Sequence, residues 1–134
     1  MNSRTKILIV EDEMIIATDI SDLLERSGYT VVGVAVEAER ALVLADQHRP
    51  HVAIVDVKLA TELNGMTVAR ELSERYGTRI VFATANAESV VKAAREVADC
   101  VLAKPYRAKE LLEAVWKCQR LIRDAPPEEA TVAA

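Results

Sequence analysis

The sequence predicts an α/β fold in which helices cover both faces of a five-stranded parallel sheet. Five short apolar runs alternate along the chain with helical patterns, as in right-handed βαβ units. Most of these runs are apolar at consecutive positions, which is typical of strands that are buried on both faces. The predicted strands are Lys6–Val10, Thr30–Val36, His51–Val55, Arg79–Ala83 and Cys100–Ala103.

A helix is predicted after each strand, because apolar residues recur there at steps of three and four. Gly28 and Gly77 follow the first and third patterns, at positions where helices commonly end. The fourth pattern, Glu88–Val97, is rich in alanine, and the fifth, Ala108–Arg123, is the most clearly amphipathic. We expect Trp116 in the core because its spacing matches Leu112; an exposed position on a partner surface is the alternative. The first three patterns are carried by Ile16, Ile20, Leu23 and Leu24, by Ala38, Ala41, Leu42 and Ala45, and by Val68, Ala69, Leu72 and Tyr76.

Length and composition favour one globular domain over residues 1–123 and a flexible tail over residues 124–134, which contain two prolines. With 51% hydrophobic and 28% charged residues, the chain has enough apolar material for a core. The net charge is −4 and no dense Lys/Arg cluster occurs, so nucleic acid and membrane partners are not expected. Without a signal peptide or an apolar stretch of about 20 residues, we expect a soluble cytoplasmic protein.

The two cysteines, Cys100 and Cys118, do not have metal-binding spacing. Together with His48 and His51 they could hardly form a zinc site. We expect two small buried or half-buried thiols in a reducing compartment.

Polar residues stand at the carboxyl ends of four of the five predicted strands. In open α/β sheets, ligands bind beyond these ends, so the side chains should converge. Singly, each has an ordinary explanation, such as a helix cap, a β-forming threonine or a solvated lysine. An acid directly after a buried strand is less ordinary, because it needs a partner. The residues are Glu11, Asp12 and Glu13, then Asp56, then Thr84, and finally Lys104 with Pro105.

These residue types suit a phosphoryl-transfer site. Clustered carboxylates repel one another, and Mg²⁺, which prefers oxygen ligands, relieves that repulsion. A carboxylate beside the cation can attack phosphorus and form an aspartyl phosphate. Lys104 and Thr84 are available to hold the oxygens of the transferred group.

With these residues, the sequence resembles the receiver domains of response regulators over about residues 5–123. The resemblance rests on ILIVEDE, VDVKLATELNG, VFATAN and LAKPYRAKELLEAV. It implies a flavodoxin-like sheet of order 2-1-3-4-5 with five helices. It also implies that Asp56 is the phosphoacceptor and that Lys104 precedes a cis peptide bond to Pro105. The Mg²⁺ or Mn²⁺ ligands it implies are Glu11, Asp12, Asp56 and the backbone carbonyl of Lys58, and the phosphoryl-binding and switch residues are Thr84, Ala85 and Lys104.

Several positions depart from the common receiver pattern. Val101 stands where these domains usually carry an aromatic residue, and the loop after Asp56 looks one residue longer and lacks a proline. The FAT sequence ending at Thr84 resembles the FAT GUY receivers of alphaproteobacteria, although Ala85 and Asn86 differ from that pattern. Lys58 and Asn86 match positions that tune hydrolysis of the acyl phosphate in the family, or they are solvated loop residues.

The resemblance implies a signalling domain and not an enzyme. Its phosphodonor would be a sensor histidine kinase, of the HWE or a related class, or a histidine phosphotransferase. A downstream protein, or a second copy of the chain, would bind the face formed by the fourth helix, fifth strand and fifth helix. If the 134 residues are the complete natural chain, the output is protein binding or phosphate shuttling.

Three other functions are weighed against this one. A binding module that works without phosphorylation would be favoured by a missing acid or lysine, and none is missing. Aspartate-nucleophile phosphohydrolases carry a second aspartate two residues after the first, where this chain has Lys58. A flavin site would need a phosphate-binding loop after the first strand, and Glu11, Asp12 and Glu13 would repel a phosphate.

Overall fold

In the computed structural model, which describes residues 5–57, 65–85 and 95–123, five strands pair in parallel. The strands are β1 (Lys6–Val10), β2 (Thr30–Ala35), β3 (Val52–Val57), β4 (Arg79–Thr84) and β5 (Cys100–Ala103). Their order across the sheet is β2-β1-β3-β4-β5, which confirms the predicted order. All strands therefore direct their carboxyl ends to the same edge of the sheet.

The described residues form four helices. They are α1 (Met14–Arg26), α2 (Ala38–His48), α3 (Gly65–Tyr76) and α4 (Ala108–Arg123). The helix predicted at Glu88–Val97 falls mainly outside the described residues, and the described part, 95–97, is a turn. The last predicted helix is thus α4 here. The predicted tail, 124–134, also lies outside the described residues.

Two hydrophobic cores lie on opposite faces of the sheet, as expected of a doubly wound fold. Strand β3 supplies both, because successive side chains of a strand point to opposite faces. Ala53 and Val55 pack into the core under α2 and α3, whereas Val52 and Ile54 pack into the core under α1 and α4. This explains why the strand is apolar at consecutive positions.

Three helices end with a residue in the left-handed region. Gly28 (φ 97°) and Gly77 (φ 68°) follow α1 and α3, where the sequence predicts helix ends. Helix α2 ends instead at Arg49 (φ 49°), whose N–H donates to the carbonyl oxygen of Ala45 at 2.8 Å. Nothing in the residue type of Arg49 indicates this conformation, because it is unfavourable for residues other than glycine.

The prediction that Trp116 lies in the core is wrong. Trp116 is 52% exposed, and the Arg120 guanidinium lies 5.2 Å from the centre of its ring. The buried stripe of α4 runs through Leu111, Val115 and Cys118, which leaves the Trp116 position on the side of the helix. None of the described helices has both the length and the apolar character to span a membrane.

We predict that Phe82→Ala lowers the free energy of unfolding by about 3–5 kcal/mol, because Phe82 is fully buried in β4. Trp116→Ala should cost at most about 1 kcal/mol, because that ring is largely in solvent. Urea unfolding followed by circular dichroism measures both, since Trp116 is the only tryptophan and fluorescence would be lost with it. Equal costs for the two variants would contradict the surface position of Trp116.

Candidate functional site

The pairing of β1 with β3 brings the predicted acids together. Val10 is paired with Val55, so the residues that follow them, Glu11 and Asp56, stand level at the carboxyl edge of the sheet. Asp12 comes next, before α1 begins. Glu11, Asp12 and Asp56 each offer a carboxylate oxygen, and these oxygens all lie within 4.8 Å of one another. The register of two strands is therefore enough to assemble the acidic group.

The pairing of β3, β4 and β5 adds the hydroxyl and the lysine. Strand β3 runs to Val57, which is paired with Thr84, so Asp56 lies inside the strand and not at its end. Thr84 is paired in turn with Ala103 of β5. The N–H of Lys104 donates to the carbonyl oxygen of Thr84 at 2.8 Å. This backbone hydrogen bond continues the strand pairing as far as Lys104.

Lys104 and Asp56 form a close ion pair. The Nζ atom of Lys104 lies 2.7 Å from Oδ1 of Asp56, and their side chains are 24% and 5% exposed. A carboxylate that is this buried is strongly destabilising unless a cation or hydrogen-bond donors compensate its charge. Lys104 supplies that cation, so it is not a freely solvated surface lysine. The peptide bond between Lys104 and Pro105 is cis.

The acidic group has the composition of a site for a hard divalent cation. Glu11 is buried, with 4% of its surface exposed, and its Oε2 accepts the Glu13 N–H at 3.0 Å. Asp12 is exposed and leaves one side open to solvent. Carboxylate oxygens are ligands that Mg²⁺ and Mn²⁺ prefer, so the donor set formed by the described residues fits the cation implied by the resemblance.

The other predicted site residues are only partly described. Thr84 is buried at the end of β4, and Ala85, which follows it, is exposed. Lys58 and Asn86 lie outside the described residues, so their roles remain predictions.

Gly65 belongs to the site through a close backbone contact, a role that sequence reasoning did not assign. It is the first residue of α3, and a Cβ atom there would lie 2.9 Å from the carbonyl oxygen of Asp56. The same atom would lie 3.2 Å from Cγ1 of Val55. A side chain at this position would therefore push α3 away from the strand that carries Asp56. Glycine is the residue that permits such a close approach.

Tyr106 is a second residue that the sequence analysis did not single out. Burial raises the pKa of its phenol, and the negative charges of Glu11 and Asp56 raise it further. The ring is therefore close enough to the acidic group to sense its charge. Tyr106 could have been predicted near the site, because it follows Lys104 by only two residues and the sequence already predicts that Lys104 lies there.

Comparison with known proteins agrees with this geometry. The sequence profile of the response regulator receiver domain family matches residues 7–116. Transcriptional regulatory protein PdtaR of Mycobacterium tuberculosis is 32% identical over 130 residues, which is 96% of this chain and 63% of PdtaR. Phyllosphere-induced regulator PhyR of Methylorubrum extorquens is 32% identical over 104 residues, which is 77% of this chain and 39% of PhyR. The chain thus spans less than two thirds of the length of either curated relative.

One solved structure matches the fold of this chain along the whole of the solved chain. The CheY-like response regulator receiver domain protein from Methanospirillum hungatei superposes with a TM-score of 0.79 and 27% identity. The match covers 92% of this chain and 100% of that one.

We predict that Asp56→Asn lowers the pKa of Tyr106 towards its ordinary value of 10.0, because one of the two carboxylates that raise it is neutralised. Ultraviolet titration of the phenolate measures the change, and Tyr106→Phe identifies the signal among the three tyrosines. Asp46→Asn, on the exposed surface of α2, is the matched control. A Tyr106 pKa that is the same in wild type and Asp56→Asn would contradict the proximity.

The raised pKa also sets a direction for stability. The folded state holds the phenolic proton more tightly than the unfolded chain does, so folding should lose stability as pH rises from about 10 through the folded pKa. Tyr106→Phe should remove this part of the alkaline loss.

Proposed function

The chain belongs to the response regulator receiver domain family, and we propose that it accepts a phosphoryl group on Asp56 in a reaction that requires Mg²⁺. The observation that carries the proposal is the ion pair of 2.7 Å between Lys104 and Asp56 within a group of three carboxylates. One carboxylate thus has both a cation beside it and two further acids that can share a divalent ion.

Asp56 would act as the nucleophile. A carboxylate oxygen attacks phosphorus in line and forms the P–O bond of an acyl phosphate, while the bond from phosphorus to the donor histidine breaks. The electron pair of that bond leaves with the histidine nitrogen, which then takes up a proton. Because Asp56 lies within β3, its backbone is held by pairing with Ala83 of β4. This keeps the attacking oxygen in a fixed position, which favours reaction.

Lys104 would balance the charge that builds up. The phosphoryl group brings close to two negative charges at pH 7 and three acceptor oxygens. The ammonium group already lies beside Asp56, so it can turn from the carboxylate to a phosphoryl oxygen over a short distance. Glu11, Asp12 and Asp56, with the backbone carbonyl of Lys58, would hold Mg²⁺ or Mn²⁺. Such a cation, when bound, neutralises charge on the transferring phosphoryl oxygens.

Thr84 would carry the response. Its hydroxyl stands at the end of β4, the strand next to β3, and we propose that it donates a hydrogen bond to the phosphoryl group together with the N–H of Ala85. Val101 packs against the core that contains Phe82, so the aromatic residue usual in the family is replaced by a small aliphatic side chain. The movement would therefore pass through Thr84 and the chain after it, and not through rotation of a ring on β5.

The phosphodonor would be a sensor histidine kinase or a histidine phosphotransferase. We propose that the response reaches a downstream protein through the surface of β5, α4 and the predicted helix Glu88–Val97. Trp116 and Leu121 support this surface, because both are large apolar side chains exposed on α4. Their exposure is typical of residues that bind other proteins.

We predict that the wild type gains one phosphoryl group when incubated with phosphoramidate and Mg²⁺, and that Asp56→Asn gains none. Intact-protein mass spectrometry measures the gain, and chelation of Mg²⁺ should prevent it. Asp12→Asn should slow the reaction by roughly tenfold or more, because loss of a metal-binding carboxylate weakens cation binding. Asp22→Asn, exposed on α1, is the control for loss of a surface charge.

If Asp56→Asn is phosphorylated at the wild-type rate, the phosphoacceptor is a residue other than Asp56. No phosphorylation of the wild type, together with no response of its amide NMR spectrum to beryllium fluoride and Mg²⁺, would indicate a domain that binds partners without phosphorylation.

We predict that Thr84→Ala is phosphorylated but shows a weaker conformational response, because the hydroxyl that contacts the phosphoryl group is missing. The response is the set of amide shifts that beryllium fluoride and Mg²⁺ produce in β5 and α4. Thr78→Ala is a matched control, since Thr78 is also buried but precedes the opposite end of β4, where it donates to the Pro50 carbonyl. A full response in Thr84→Ala would contradict the switch role.

A further inference from the structure

Two cysteines that are far apart in sequence meet beneath the edge strand. Cys100 is the first residue of β5, and Cys118 lies on α4. Both pack into the core between the sheet and the helices α1 and α4. Cys118 is fully buried and Cys100 is half-buried, and the two thiols are close enough for each to shift the pKa of the other. The expectation of two reduced, partly buried thiols holds for their burial, but it did not anticipate that the sulfur atoms are neighbours.

Only one of the two thiols faces solvent. A surface groove of about 370 Å³ is lined by Cys100, and its wall carries the positive charges of Lys117 and Arg120 and the negative charge of Asp99. The groove does not reach Cys118, which lies behind Cys100 in the core. A small polar molecule can therefore reach one sulfur atom directly and the other only through it.

The environment assigns different chemical roles to the two sulfur atoms. Hydrogen bonding from the Cys118 thiol and the charge of Lys117 lower the pKa of Cys100 to about 7, against the opposing effects of burial and of the negative charge of Asp99. The same hydrogen bond and full burial raise the pKa of Cys118, which stays a neutral thiol. At neutral pH Cys100 is thus partly thiolate, the form that reacts with electrophiles.

We propose that Cys100 and Cys118 are a redox-active pair that a small hydroperoxide, such as hydrogen peroxide, closes into an intramolecular disulfide. The Cys100 thiolate attacks one peroxide oxygen, the O–O bond breaks, and Cys100 becomes a sulfenic acid as hydroxide leaves. The Cys118 sulfur then attacks the Cys100 sulfur and forms the S–S bond. The thiol proton and the sulfenic hydroxyl leave together as water. The two sulfurs lose two electrons in total, and the peroxide gains them.

The disulfide would fasten the edge of the sheet to α4. It closes a loop over residues 100–118, which includes Lys104, so the proposed phosphoryl site and the thiol pair share strand β5. Thiol reductants would reopen it by exchange, which makes the modification reversible in a reducing compartment. No third metal-binding side chain joins the two sulfur atoms within the described residues, so their arrangement favours redox chemistry over metal binding.

The first test treats the folded wild type with an equivalent of hydrogen peroxide at pH 7, followed by denaturation, alkylation of free thiols and mass spectrometry. We expect both thiols to be lost in a monomer that is lighter by two hydrogen atoms, and dithiothreitol to restore them. Two free thiols after treatment, or only disulfide-linked dimers, would overturn the proposal. The experiment involves no phosphodonor, so its result is independent of the function proposed for Asp56.

The second test separates the roles of the two cysteines. In Cys118→Ala, peroxide should leave a sulfenic acid at Cys100 that dimedone traps, and alkylation of Cys100 by iodoacetamide at pH 6.5 should slow roughly fivefold as its pKa rises. In Cys100→Ser, Cys118 should resist both reagents because it is buried. If Cys118→Ala does not fold, the rate of Cys100 alkylation in the wild type is measured as a function of pH. A midpoint near pH 7 supports the proposed pair, and the midpoint of an ordinary thiol overturns it.

Discussion

The burial of Asp56 is the constraint on which the site depends. Strand β3 is covered on both faces, and its penultimate residue is a carboxylate whose side chain is 5% exposed. A buried charge of this kind needs a partner, and Lys104 supplies it from β5, two strands away in the sheet. The order β3-β4-β5 and the backbone bond from Lys104 to Thr84 are what bring the partner within 2.7 Å. The strand order therefore determines whether the buried charge of Asp56 is compensated.

Much of this was predictable from the sequence because parallel strands share an edge. Once a run of apolar residues is recognised as a strand, the residue that follows it has a known location, and this alone gathers Glu11, Asp56, Thr84 and Lys104. The features that escaped prediction depend on distances that no local pattern encodes. They are the approach of Gly65 to the Asp56 carbonyl, the raised pKa of Tyr106 and the contact between Cys100 and Cys118.

Trp116 shows a different limit of sequence reasoning. Residues four apart share a helix face, which is why Leu112 suggested a buried Trp116. Leu112 is itself only partly buried, at the margin of the stripe through Leu111 and Val115. Periodicity finds the direction of an amphipathic face but not its width, so residues at its margin are assigned correctly only from the structure. On α4 the misassigned residue is Trp116, which lies on the surface that we propose binds a downstream protein.

Strand β5 joins the two chemistries of the molecule. Among the described strands it lies at the edge and pairs with β4 alone. None of its four residues is fully buried, in contrast to the four buried residues Val52–Val55 of β3. Local openings in a protein favour elements with few buried contacts, so this strand should be less costly to displace than the central strand β3. Cys100 begins it and Lys104 follows it, which places a thiol at one end and the cation of the acidic site at the other. A change of charge at Asp56 and a covalent bond at Cys100 would thus act on the same short element from opposite ends.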